Sequence, residues 1–142
     1  MKIAMGCDHA GYALKEEIKN HLKMSGHDVV DHGTHSEEST DYPDFAHAVS
    51  KDVEKGNVAL GILICGSANG VAMTANKHQG VRCAICWQKD IASLAKAHNN
   101  ANIAAFPARF ITTELAKEMT DIFLETEFEG GRHSRRVSKI SC

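Results

Sequence analysis

Four groups of residues in this 142-residue chain have types and spacings that can do chemistry. The first is Cys65 with the small-residue run Gly66-Ser67-Ala68-Asn69-Gly70 behind it. A thiol can act as base or nucleophile, and a turn entering a helix aims several backbone N–H groups at one point, which suits an anion or an oxyanion. The second is Asp8-His9, a carboxylate beside an imidazole. The third is His98-Asn99, where an imidazole of ordinary pKa about 6.5 can carry protons at neutral pH. The fourth is the basic tail with Arg132, Arg135 and Arg136. Arg132 and Arg136, four apart, would share a helix face and could take a phosphate bidentately. Three of these groups have a plainer reading. Asp8 is a favoured helix cap, His98 a good partner for a helix C-terminus, and the arginines an ordinary solvated terminus. Residue type alone leaves each pair open.

The surrounding pattern says what must position them. Leu60 to Ile64 is an apolar run too short for a buried helix and rich in strand formers, whereas Val71 to Asn76 reads as a helix. Residues 61–76 therefore predict a buried strand, a tight turn and a helix N-terminus, one unit of a parallel α/β sheet. Further strands are expected at Lys2–Gly6, Asp28–Asp31, Val81–Cys86 and Ile103–Phe106. Helices are marked by Leu14, Ile18 and Leu22 with Gly26 as stop, and by Phe45, Val49 and Val53 after Pro43, closed by Gly56. Two more carry Ile91, Leu94, Ala95 and His98, and Leu115, Met119, Ile122 and Phe123 behind a Thr112 or Thr113 cap. Gly33 to Tyr42 reads as the longest loop.

Five strands alternating with helices make a three-layer α/β/α sandwich around a mostly parallel sheet. Ligands of such sheets sit at the carboxyl ends of the strands, where strand order reverses. The first and third strands end in Cys7-Asp8-His9 and Cys65-Gly66-Ser67, which meet only if those strands are neighbours. Strand order is not readable from the chain.

Several function classes fall away. At 142 residues the chain is a single domain, 1–142, with a net charge of −2 that recruits neither nucleic acid nor an acidic membrane. No apolar stretch approaches the roughly 20 residues that span a bilayer, and Met1 leads directly into a strand pattern, so a cytoplasmic protein is expected. The five cysteines, at 7, 65, 83, 86 and 142, are odd in number and scattered, against a disulfide scaffold. Cys83-Ala84-Ile85-Cys86 matches C-x-x-C, but on a strand these two residues face opposite sides. Neither glycine-rich turn fits a dinucleotide or triphosphate fingerprint. The nine histidines lack ligand spacing, His32 and His35 lie in a loop with no carboxylate pattern nearby, and most are expected to face solvent, so no metal is expected. The tail lacks the aromatic interleaving of an RNA-binding segment.

Taken together, Asp8-His9, Cys65 to Gly70, His98-Asn99 and Glu129-Gly130-Gly131-Arg132-His133 resemble the ribose-5-phosphate isomerase type B family. That family also includes the galactose-6-phosphate and allose-6-phosphate isomerases. Thr40-Asp41-Tyr42-Pro43, Ala75-Asn76-Lys77 and Gly80-Val81-Arg82 extend the similarity essentially end to end. The resemblance implies a Rossmann-like fold and a metal-free, cofactor-free aldose–ketose isomerase acting through a cis-enediolate. It implies Cys65 as the base between C2 and C1, the amides of Gly66, Ser67, Ala68, Asn69 and Gly70 as the oxyanion hole, and Ser67 as an aid to proton handling. Asp8 and His98 would open the furanose ring and Asn99 would hold a sugar hydroxyl. His9, Arg109, Arg132 and Arg136 would bind the phosphate. The family's sites lie between two subunits, so the tail, about 128–142, is expected to reach a partner in a homodimer or a dimer of dimers.

One branch, resembling the mycobacterial enzymes, replaces the cysteine with a Glu just after the glycine turn. Here that position is Val71, which places the chain in the Cys branch. The galactose-6-phosphate enzymes resemble pairs of unlike subunits, whereas this chain carries the full set. A thiol at a helix N-terminus is expected to have a lowered pKa. Hexose 6-phosphates, or phospho-sugar binding without catalysis, are the alternative readings.

Overall fold

The computed structural model describes residues 1–142. In chain order the elements are β1 Lys2–Cys7, α1 Tyr12–Met24, β2 Asp28–Asp31, α2 Tyr42–Glu54, β3 Leu60–Cys65 and α3 Asn69–Ala75. They continue as β4 Cys83–Ile85, α4 Lys89–Ala97, β5 Ile103–Pro107, α5 Thr113–Glu125 and α6 Arg132–Val137. A short 3-10 turn at His9–Gly11 links β1 to α1. The sheet order is β2-β1-β3-β5-β4, and every pairing is parallel.

Strand order reverses at β1, which has β2 on one side and β3 on the other. Cys7 is paired with Ile64, so the ends of these two strands lie side by side. The expected meeting of the Asp8 and Cys65 segments therefore occurs.

Alternation along the strands divides the core in two. Ile3, Met5, Cys7, Ile62, Ile64 and Phe106 face one layer, packed on Leu14, Ile18 and Leu22 of α1, Ala92 and Ala95 of α4, and Met119 and Phe123 of α5. Ala4, Leu63, Cys65, Ile103 and Ala105 face the other, packed on α2 through Val49 and on α3 through Val71, Ala72 and Ala75. Burying a Leu, Ile or Phe side chain contributes about 1.5–3 kcal/mol, so these two apolar faces hold the sheet between its helices. Cys86 joins the first core while Cys83 packs against the second, as strand alternation requires. Burial pushes Cys86 up to about 12 and raises Cys83 as well, so this pair stays as inert thiols.

Two boundaries shift by two residues from the sequence pattern, the others by one at most. β4 begins at Cys83 rather than Val81 because the Val81 N–H bonds back to His78 and the Arg82 N–H to the Asn102 side chain, leaving the ladder. α3 begins at Asn69, two residues early, because Ala68 takes a left-handed conformation (φ 65°) that turns the chain at once into the helix.

The sequence pattern gives no hint of Lys15. It is fully buried, and its ammonium donates to both carboxylate oxygens of Asp31, at 2.6 and 2.8 Å. Burial alone would raise the Asp31 pKa, but the bonds from Lys15 and Lys19 and the Gly33 N–H outweigh it and hold Asp31 at about 2. Through that Gly33 N–H (2.9 Å) the ion pair anchors the start of the 32–41 loop. The same loop zips onto the end of β1 by Cys7 N to Gly33 O (2.7 Å) and Thr34 N to Cys7 O (2.9 Å).

Candidate active site

Cys65 is the last residue of β3 and is only 8% exposed. Its thiol donates to Asp8 Oδ2 across 3.1 Å. The other carboxylate oxygen, Oδ1, accepts the Gly11 N–H at 3.1 Å and caps the 3-10 turn after β1. Asp8 is thus both the plain cap and a group of the site. Gly11 is required for this approach, since a Cβ there would stand 2.6 Å from the Ile64 carbonyl oxygen.

The Cys65 pKa is raised, against the sequence expectation. Burial is the largest cause, and the Asp8 carboxylate adds to it by hydrogen bond and by charge. The N–H groups of Gly66 and Ala68 pull the other way and do not prevail. A seven-residue helix start cannot outweigh an adjacent carboxylate in a buried site. Cys65 therefore rests as a thiol.

Beyond the thiol, Ser67 and Asn69 are exposed, and Ser67 Oγ accepts from Asn69 Nδ2 at 3.2 Å. The first N–H groups of a helix have no intrahelical acceptor, so the start of α3 offers donors beside the sulfur. Tyr42, first residue of α2, lies directly over Gly70, where a Cβ would come within 2.5 Å of its ring. Arg109, on the loop after β5, flanks Gly66 from the other side, and its N–H donates to the Gly66 carbonyl at 3.1 Å. His9 Nδ1 accepts the Thr40 N–H at 3.2 Å. A neutral His9 must then carry its proton on Nε2, free to donate to an anion.

His98, Asn99, Arg132 and Arg136 are not part of this cluster. α4 starts just past the carboxyl end of β4 and leads into the amino end of β5, so His98, its C-cap, sits at the opposite edge of the sheet. A five-residue strand spans roughly 17 Å, which sets the scale of the separation. The tail lies there too. Glu129 N–H donates to Ala97 O at 3.0 Å, and the His133 ring stacks on His98 with centroids 4.1 Å apart. Arg132 and Arg136 are exposed on α6, at the expected helical spacing. The expected site residues thus fall into two groups at opposite ends of the sheet.

His98, Glu129 and His133 are the residues that come nearest to a metal cluster, with ligand atoms within 4.8 Å of one another. The imidazoles are nearly parallel, at 15°, so their in-plane lone pairs run alongside each other instead of converging on one ion. Other histidines also depart from the solvent-facing expectation. His32 bonds Asp52 at 2.6 Å, His21 bonds Asp121 at 2.8 Å, and His47 bonds His78, which reaches Glu54 at 3.2 Å. The tertiary fold supplies carboxylates that lie far away in sequence.

Cavities of 460 and 400 Å³ run along β4, one lined by Asn99, Cys83 and tail residues Ile140 to Cys142, the other by Met73, Lys77 and Ile85. Neither touches Cys65, Asp8 or Arg109. Thr40 and Tyr42, quoted in the sequence only as part of the family resemblance, were given no role there, and the structure sets them beside His9 and Gly70. The Thr40-Asp41-Tyr42-Pro43 motif at a helix start was the available signal. No helix is long and apolar enough to cross a membrane.

Comparison with known proteins agrees with this geometry. Residues 3–140 match the family described as Ribose/Galactose Isomerase. Ribose-5-phosphate isomerase B of Escherichia coli is 46% identical over 141 residues, covering 99% of this chain and 95% of that protein. The crystal structure of a ribose 5-phosphate isomerase from Thermotoga maritima superposes with a TM-score of 0.97 at 49% identity, covering 99% of this chain and 97% of that one. Ribose-5-phosphate isomerase B from Mycoplasma genitalium, solved with bound ribulose-5-phosphate, gives a TM-score of 0.94 at 44% identity and covers 98% of this chain and 93% of that one. A thiol and a carboxylate joined at a parallel-sheet switch point, in a chain matched from end to end, place it plainly: this chain belongs to the ribose/galactose isomerase family.

Proposed function

We propose that the chain is an aldose–ketose isomerase that interconverts D-ribose 5-phosphate and D-ribulose 5-phosphate through a cis-enediolate. The observation that carries this reading is the Cys65–Asp8 pair beside the N-terminus of α3. The ribulose-5-phosphate complex of the Mycoplasma genitalium relative supports the choice of sugar phosphate.

In this reading Cys65, as thiolate, takes the proton from C2 and returns it to C1. The developing oxyanion is met by the backbone amides from Gly66 to Gly70, each donor contributing about 2.7–4 kcal/mol to the transition state. Ser67 assists transfer between the two oxygens. His9, Arg109, Arg132 and Arg136 hold the phosphate, and this remote binding keeps C2 against the base. Asp8 and His98 open the furanose ring, and Asn99 holds a hydroxyl.

These roles require both groups of residues at one sugar. A second copy of the chain, docked about a two-fold axis, brings His98, Asn99, Arg132 and Arg136 to the Cys65 end of its partner. The active form is then a homodimer, alone or paired into a tetramer, and the reaction uses no metal or cofactor. A cytoplasmic site of action accords with the five free cysteines.

The family description spans ribose and galactose substrates, so the sugar is the point to test. We expect kcat/KM for ribose 5-phosphate to exceed that for allose 6-phosphate and galactose 6-phosphate. A preference for either hexose phosphate would reassign the substrate. Binding without exchange of the C2 proton would remove the enzymatic reading.

A further inference from the structure

The two roles just given to Cys65 and Asp8 conflict when taken separately. A base must have lost its proton, yet Cys65 rests as a thiol in a buried site. A ring-opening acid must have a proton to give, yet a carboxylate accepting one bond from the Gly11 N–H and another from a thiol is an acceptor on both oxygens. Of those two donors the amide cannot release its proton. The thiol can.

Resting on the isomerase reading above, we propose that Asp8 relays the Cys65 proton to the ring oxygen of the closed sugar, so that ring opening itself converts Cys65 into the base for the next step. As the C1–O4 bond breaks, the S–H bond breaks and an O4–H bond forms, with Asp8 receiving and passing on one proton. The proton of the anomeric hydroxyl leaves to His98 of the partner subunit. The products are an open aldehyde, a thiolate, an unchanged carboxylate and an imidazolium, so charge and atoms balance. The thiolate then takes the C2 proton and delivers it to C1. On release of the ketose the imidazolium proton returns to sulfur.

The driving force lies in the leaving group. A proton moved from thiol to isolated carboxylate goes uphill, but an alkoxide forming at O4 is a far stronger base than a thiolate, so the net transfer from sulfur to O4 is favourable. The stationary carboxylate only has to touch both, and its 3.1 Å contact to sulfur supplies the first half of that path. The resting thiol also has a use. A permanent thiolate would be open to oxidation, whereas this one is formed mainly as a cyclic substrate opens. The charged groups facing the sulfur are Asp8 and, across Gly66, Arg109. Removing the Asp8 charge should therefore make the thiolate easier to form while breaking the relay.

The test compares wild type with Asp8→Asn on two substrates, ribose 5-phosphate and its 4-deoxy analogue, which lacks the O4 hydroxyl and stays an open aldehyde. Loss of the relay should cost about 100-fold with ribose 5-phosphate, the usual worth of a positioned acid. The analogue opens no ring, so it is turned over slowly through the small thiolate fraction present at rest. Removing the Asp8 charge enlarges that fraction, so analogue turnover should not fall. The ratio of analogue to ribose 5-phosphate turnover should thus rise about 100-fold. In parallel, site-resolved alkylation of Cys65 by iodoacetamide at pH 7 should accelerate about tenfold or more in Asp8→Asn. A cap role alone would depress both substrates equally, and a ratio rising less than about tenfold would overturn the relay. Alkylation that is unchanged or slower would also overturn it. The ratio is independent of the folded fraction, so partial unfolding of the variant does not blur the result. Failure of the isomerase reading shows separately, as a wild type that does not turn over ribose 5-phosphate at all.

Discussion

Cys65 and His98 sit at opposite edges of the same sheet, so a site that uses both must draw them from different chains. Mixing two inactive variants tests this directly. Cys65→Ala and His98→Ala should each lower turnover by about 100-fold or more, the typical worth of a positioned base or acid. When the two are refolded together in equal amounts, random pairing makes half of the dimers mixed. In a mixed two-fold dimer one site receives an intact Cys65 and an intact His98, and the other receives neither. Half the dimers with one of two sites restored gives about a quarter of wild-type activity. Two affinity tags allow the mixed dimer to be isolated, where recovery should reach about half. The assay is initial-rate formation of ribulose 5-phosphate from ribose 5-phosphate. Isolated mixed dimers no more active than their parents would show that each site is built within one chain, and the two-copy account would be wrong.

Four further perturbations probe the scaffold, the glycine turn and the phosphate end. Asp31→Ala strips fully buried Lys15 of its carboxylate and should destabilise the fold by about 3–5 kcal/mol in urea titration; a change under about 1 kcal/mol would mean the ion pair is not needed. Asp31 is held at about 2 against an ordinary 3.8, so its contribution is full above pH 3.8 and disappears as pH falls towards 2; wild-type stability should drop by about 2 kcal/mol from this group across that window, with no such drop in the variant. Gly70→Ala places a Cβ 2.5 Å from the Tyr42 ring, where ordinary contact begins at 3.4 Å. The half-exposed ring can swing into solvent, so the melting temperature should hold, but a shift of about 1 Å beside the oxyanion donors should lower kcat about 100-fold, and an unchanged kcat would separate this turn from the chemistry. Arg132→Ala should mainly raise KM, and unaltered kinetics at all substrate concentrations would remove the tail from the site.

The sheet was legible because its signals are local. Apolar runs such as Leu60–Ile64, stops such as Gly26, and Pro43 at a helix start each act over a few residues. The crevice also followed, once β1 and β3 proved to be neighbours. What the sequence hid depends on groups far apart along the chain. Lys15 looks like a surface lysine until β2 brings Asp31 beside it. His32 finds Asp52, and the tail folds back to put His133 on His98. The sign of the Cys65 shift failed for the same reason. The helix start is visible in the sequence, but the burial and the Asp8 carboxylate that outweigh it are not.

The central claim is that Cys65 moves the proton between C2 and C1, and substitution of that one atom tests it most directly. Ribose 5-phosphate carrying deuterium at C2 is given to wild type and to Cys65→Ala, and both isomerisation and loss of the label are followed. Wild type should form ribulose 5-phosphate with the label moved to C1 or lost to water. Cys65→Ala should be folded, should still bind the sugar phosphate, and should do neither at a rate above about 1% of wild type. Isomerisation by Cys65→Ala at near wild-type rate would show that another group carries the proton, and would contradict the account.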